Sequence, residues 1–98
     1  MNSIDRQQLE DAAVMFRALA DPARLQTLII LSAGERNVGE LAQIEGHKIG
    51  TISARLKVLL QARLVKRRRE GKAVIYALAD AHVLSLVRNA VEHACEQH

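Results

Sequence analysis

Lys48-Ile49-Gly50-Thr51-Ile52-Ser53-Ala54-Arg55-Leu56-Lys57-Val58-Leu59-Leu60 is the stretch whose reading decides the fold. Ile52, Leu56 and Leu59 recur at i, i+4 and i+7, which is one face of an α-helix. Thr51, Ser53, Arg55 and Lys57 fall elsewhere on the wheel and offer hydroxyls and cations. Such a helix suits a DNA major groove, where hydroxyls and amines reach base edges and phosphates. The pattern taken alone suits an ordinary surface helix equally well, so its neighbours decide.

Upstream, Asn37 is placed to cap a short helix, with Glu40 three residues on as its capping-box partner. Val38, Leu41 and Ile44 are expected as that helix's buried side, and Gly46 ends it. Short helix, glycine-containing turn, second helix with an exposed polar face is the helix-turn-helix order. Downstream, the spans 64–69 and 73–78 read as strands, with Glu70-Gly71 as the turn between them. A basic two-stranded hairpin in this place is a wing. Alternation puts Lys66 and Arg68 on one face of its first strand, and Arg67 and Arg69 on the other.

The rest of the chain extends this plan. Leu9, Ala12, Ala13, Phe16, Leu19 and Ala20 have helical spacing between Asp5 and Ala20. Asp21-Pro22 then starts a second helix, Asp as N-cap and Pro at the first helical position, which runs to about Gly34. A last helix covers Asp80 to Glu96, and its apolar band is broader than one small domain needs. Such a helix buries its excess against a second subunit. The expected architecture is mainly α with a two-stranded β wing. It is a single dimeric winged helix-turn-helix domain over residues 1–98, with first and last helices forming the subunit interface.

Composition bounds the rest. A chain of 98 residues buries only about two-thirds of its unfolded surface, so a subunit interface would help it. Hydrophobic residues make up 49% and aromatics 2%, which calls for an aliphatic, helix-on-helix core. The net charge of +3 means little until its clustering at Lys66-Arg67-Arg68-Arg69 is noticed. There is no charged-then-apolar leader pattern, no apolar run of bilayer length, and a single cysteine that cannot form an internal disulfide. A cytoplasmic protein is expected. No nucleophile-base pair, glycine-rich phosphate loop or acidic phosphoryl-transfer cluster is evident, so an enzyme acting on a small-molecule substrate is not.

Taken together, the motifs resemble those of the ArsR/SmtB family of bacterial winged-helix repressors. The span 19–25 carries the likeness at the second helix, followed by Glu40-Leu41-Ala42 and the span 53–59. Leu64-Val65, Arg69-Glu70-Gly71-Lys72 and Tyr76 carry it through the wing. Arg55 departs from the pattern, standing where the family usually has His. The resemblance implies a homodimer that binds double-stranded operator DNA and is released by an effector, often a metal ion. Thr51, Ser53 and Arg55 are then expected nearest the bases, with Lys48 and Lys57 nearer phosphate. In the wing, Lys66, Arg67, Arg68, Arg69 and Lys72 are the candidate DNA contacts, although only one strand face can meet DNA well.

Asp80, His82, His93 and Glu96 are oxygen and imidazole donors of the kind that hold zinc. His82 and His93 share a helix face, roughly 20° apart on the wheel, but sit roughly 16 Å apart along the axis. One chain cannot close all four around one ion. Two antiparallel copies can, with Asp80 and His82 of one meeting His93 and Glu96 of the other, twice per dimer. The spacing Asp-x-His then His-x-x-Glu is also the family's last-helix zinc pattern. The bland alternatives are that Asp80 is only an N-cap, and that the other end is only a polar terminus. Four N and O donors suit Zn²⁺, with Co²⁺ able to substitute and Ni²⁺ wanting further ligands such as His98. The family's thiolate site falls at Asn37 and Gly39 here, so it is absent, which argues against a sensor of soft ions. Cys95 reads as a buried or lightly exposed thiol and His47 as a turn residue, neither with a metal role.

Overall fold

The computed structural model describes residues 3–96. Its helices and strands run α1 (Arg6–Leu19), α2 (Pro22–Ser32), β1 (Arg36–Asn37), α3 (Val38–Glu45), α4 (Ile49–Gln61), β2 (Val65–Glu70), β3 (Ala73–Leu78) and α5 (Ala81–Cys95). The helix starts follow from local chemistry. Asp5, Asp21, Asn37 and Asp80 each accept a hydrogen bond from a backbone N–H in the first turn of the helix they precede. Asn37 and Glu40 form the expected capping box, and Asp5 with Gln8 forms a second.

The motif around Asp21-Pro22 earns its form twice over. Its Asp and Pro start α2, and Arg24 reaches back to finish α1. The Arg24 guanidinium donates to the carbonyl oxygens of Ala18 (2.7 Å) and Arg17 (3.1 Å) in the last turn of that helix, the second of which also accepts the N–H of Ala20.

The sheet has one strand more than the expected hairpin. Its order is β1-β3-β2, all antiparallel, with Arg36 opposite Tyr76 and Asn37 opposite Ile75. A two-residue strand that leads directly into a helix cap carries no alternation to read. The hairpin turn is also shifted: Glu70 pairs with Ala73, so the loop residues are Gly71 and Lys72 rather than Glu70 and Gly71. Gly71 takes φ of 62°, as a tight two-residue hairpin loop demands at its first position.

The core is aliphatic, as expected. Leu28, Leu41, Ile52, Leu56, Leu59 and Leu64 are fully buried, and Val83 and Val87 bring α5 onto them. The opening stretch therefore docks by its Ile52–Leu56–Leu59 face. Past α4, the N–H of Leu64 bonds to the carbonyl of Leu59 and that of Arg63 to the carbonyl of Leu60. This is the Schellman arrangement, with Arg63 in the left-handed region at φ 61° where glycine is favoured.

Not every apolar stripe is covered: Ile44, expected on the buried side of α3, is 53% exposed, and only Leu41 and Ala42 of that helix are buried. Leu9 (58% exposed) and Phe16 (61%) face solvent on α1, while only Ala18 of that helix is buried. On α5, Val83 and Val87 are buried, but Ala90, Ala94 and Cys95 are exposed. Cys95 is thus not the buried or lightly exposed thiol expected from its position.

Candidate nucleic-acid interface and metal-ligand residues

The turn between α3 and α4 is short. Gly46 closes α3 in the left-handed region at φ 70°, where a side chain would be strained. His47 and Lys48 follow in solvent, and Ile49 begins α4. The outer side of α4 presents Thr51, Ser53 and Lys57, all exposed.

Arg55 departs from the expectation that set it beside the bases. Its guanidinium turns inward, its side chain only 9% exposed, and donates to Glu45 Oε1 at 2.7 Å. The Glu45 side chain is itself fully buried and also takes a hydrogen bond from Thr27 Oγ1. Arg55 Nη1 lies 3.3 Å from the same hydroxyl, which accepts from it. The reason is electrostatic. The carboxylate at the end of α3 has no access to water, and among the described residues the one cation that reaches it is on α4. The triad joins α2, α3 and α4, so Arg55 fixes the helix-turn-helix angle and Glu45 and Thr27 are partners the sequence reading missed.

The wing resolves into two faces. Arg67 and Arg69 follow Val65 on the side of Tyr76 and Val74, and Ser53, Lys57, Arg67 and Tyr76 line one cleft between α4 and the sheet. Lys66, Arg68 and Glu70 lie on the other face. There Arg68 donates to Glu35 and to Glu70. The Arg68 hydrogen bond holds the Glu35 carboxyl below its ordinary 4.5, and the two carboxylates raise Arg68. On this face Lys66 and Arg68 are offset by the Glu35 and Glu70 carboxylates, whereas Lys57, Arg67 and Arg69 have no ion-pair partner among the described residues. The face that meets α4 is the one that keeps its charge. Lys72 sits exposed at the hairpin tip.

The four candidate metal ligands form two pairs at opposite ends of α5. Asp80 Oδ1 lies 3.7 Å from His82 Nδ1, and Glu96 Oε2 lies 3.7 Å from His93 Nδ1. Both imidazoles are open to solvent, 98% and 80% exposed. Asp80 Oδ1 also accepts the N–H of Val83, so the carboxylate is an N-cap whatever else it does. Among the described residues of one chain, no three such donors converge. His98, the further Ni²⁺ ligand, lies outside the described residues.

No helix among the described residues is long and apolar enough to cross a membrane. Comparison with known proteins gives one consistent result. Residues 21–67 match the pattern of "Bacterial regulatory protein, arsR family". The chain is 40% identical over 89 residues to a transcriptional repressor SmtB homolog of Synechocystis sp., covering 91% of this chain and 67% of that one. It is 38% identical over 92 residues to a cadmium resistance transcriptional regulatory protein CadC homolog of Staphylococcus aureus, covering 93% and 76%. Among solved structures, the homodimeric winged helix-turn-helix DNA-binding domain of Mb0332 from Mycobacterium bovis superposes with a TM-score of 0.85. That alignment has 35% identity and covers 100% of this chain and 95% of that one. The chain belongs to the arsR family of bacterial regulatory proteins, and it is a transcriptional regulator, not an enzyme.

Proposed function

We propose that this protein is a metal-responsive repressor that binds operator DNA as an apo homodimer in the cytoplasm and leaves it when zinc binds. The observation that carries the metal reading is the placement of two N,O donor pairs, Asp80/His82 and His93/Glu96, at opposite exposed ends of one helix. Half a tetrahedral site at each end is what a two-fold dimer needs to build two whole ones. Zn²⁺ suits four N and O donors with no thiolate among them, and the solvent-facing imidazoles are free of the burial that would bar an ion's approach. A relative named for cadmium resistance supports a metal effector without fixing which ion.

Dimerisation follows from the uncovered apolar residues of α1 and the outer side of α5. Leu9 and Phe16 would gain the cover that a single chain does not give them. DNA binding rests on Thr51 and Ser53 near base edges, with Lys48, Lys57, Arg67, Arg69 and Lys72 on the phosphates. Lys66 and Arg68 are on the far face of the wing and contribute less. Zinc held between the two last helices would fix a subunit geometry that no longer matches the half-site spacing. By linkage, DNA must weaken zinc binding by the factor by which zinc weakens DNA binding.

The experiment is a fluorescence-anisotropy titration of the protein on its own upstream DNA, with Zn²⁺ and then a chelator added. A fall in anisotropy that the chelator reverses, lost in His82→Ala and in His93→Ala, is the expected result. Lowering the pH should blunt the response, because protonated imidazole cannot ligate. A protein that binds DNA and ignores zinc would remove the effector claim and leave a repressor with a non-metal effector.

A further inference from the structure

The large apolar side chains that this chain leaves in solvent fall in separate places. Leu9 and Phe16 lie on α1, where the proposed subunit contact would cover them. Ile49 is different: it is the first residue of α4 and is 59% exposed. The core does not need it, since α4 docks through Ile52, Leu56 and Leu59, each 0% exposed. Its neighbours are open as well. Lys48, Gly50 and Thr51 are exposed, and a side chain added at Gly50 would meet nothing within 4 Å.

A lone surface isoleucine is common and needs no explanation by itself. Here its place supplies one. In a helix-turn-helix, residues at the start of the second helix reach base edges. The surrounding charge, from exposed Lys48 beside it and from Lys57 two turns further along the same helix, favours a polyanion over an apolar partner. The apolar group that DNA offers in the major groove is the C5-methyl of thymine.

We propose that Ile49 is a specificity-determining residue that reads a thymine 5-methyl group in each operator half-site. This deepens the DNA-binding reading above and rests on it. The discrimination works in two ways. Contact with the methyl removes apolar surface from water on both sides. Against any other base edge, the isoleucine displaces water from donors and acceptors and returns no hydrogen bond, which penalises the wrong base.

The test uses the full chain and a duplex selected by it from random sequence. Each thymine is replaced in turn by deoxyuridine, which deletes the methyl and preserves pairing. We expect one thymine per half-site at which replacement weakens binding about fourfold, the worth of one buried methyl-sized group. Ile49→Ala should bind the thymine duplex more weakly by a similar factor, should not tell thymine from deoxyuridine there, and should match the unmutated protein on non-specific DNA. Ile49→Val should retain the discrimination. An Ile49→Ala protein that still distinguishes thymine from deoxyuridine at the same position would overturn the proposal, as would indifference of the unmutated protein to every replacement. Failure of the unmutated protein to bind any duplex would overturn the DNA-binding reading itself, and this inference with it.

Discussion

Arg55→Ala is the substitution that tests the architecture of the reading head most directly. It removes the only cation among the described residues that pairs with Glu45, whose side chain is 0% exposed. The carboxylate is left with the Thr27 hydroxyl alone, and that hydroxyl has one proton to share between Glu45 and the carbonyl of Ala23. Breaking a buried pair from one side costs about 3–5 kcal/mol, because the remaining charge stays desolvated. For a domain of this size, about 3 kcal/mol corresponds to roughly 12–24 °C in melting temperature. Glu45→Ala should cost less. Arg55 lies at the rim, 9% exposed, and its long side chain can swing its charge into water. The double variant Glu45→Leu with Arg55→Met replaces the pair by apolar groups of similar size and should return to within about 1 kcal/mol of the starting protein. Urea and thermal denaturation followed by circular dichroism, at one fixed protein concentration because subunit association contributes, measure all four. If Arg55→Ala unfolds within about 0.5 kcal/mol of the unmutated protein, an error range expected of a surface site, the inward latch is wrong.

The same geometry gives further expectations. Arg63→Gly should stabilise the protein by about 0.5–1 kcal/mol in the same assays, because φ 61° is strained for arginine and free for glycine. Lys57→Ala and Arg67→Ala should each reduce the slope of log affinity against log salt by about 1, whereas the Glu45→Leu, Arg55→Met double variant should leave that slope unchanged. Asp80→Asn should keep the α5 cap and its melting temperature while losing the zinc response, since asparagine caps as well as aspartate but carries no charge. An Asp80→Asn protein that responds to zinc as before would show that this carboxylate is only a cap. Glu35 is held below its ordinary value by Arg68, so its pairing contributes stability above the unfolded carboxylate value, and that contribution is lost as the pH falls through the lower folded one. NMR titration of the Glu35 carboxyl, with and without Arg68→Met, reads this directly; an identical midpoint in both would refute it.

Most of the fold was legible because it is written in local signals. Asp21-Pro22, the Asn37–Glu40 box and Gly46 act within one turn of helix, and each capping oxygen bonds an N–H in its own segment. The 3.6-residue spacing of Ile52, Leu56 and Leu59 is likewise a property of the stretch alone. What was not legible depends on partners distant in the chain. β1 exists only because β3 lies beside it, and Arg36-Asn37 has no pattern of its own. The pairing of Arg68 needs Glu35, 33 residues away. The four-residue basic run looked uniform in sequence and became two unequal faces once the sheet had neighbours.

Arg55 shows why site residues are harder to read than folds. Thr51, Ser53, Arg55 and Lys57 are four polar positions on one helix, and the wheel puts none of them on the apolar face. A wheel ranks positions by angle, and Arg55 stands between the core direction and the outer face, so its side chain could turn either way. The choice is made by Glu45, which α3 brings into the core without access to water. A buried carboxylate must find a cation, and the flexible guanidinium nearest to it on α4 has no stronger claim from solvent. The signal available beforehand was Glu45 itself, an acidic residue one position before the glycine that ends a short helix. An acid at a helix C-terminus sits against the unfavourable end of the helix dipole and calls for a compensating charge. Followed across the turn, that reasoning leads to Arg55 and takes it off the surface proposed to face DNA. On that proposal the polar contacts left for base edges are Thr51 and Ser53, small hydroxyls that bond donors and acceptors alike, and the discrimination falls to Ile49.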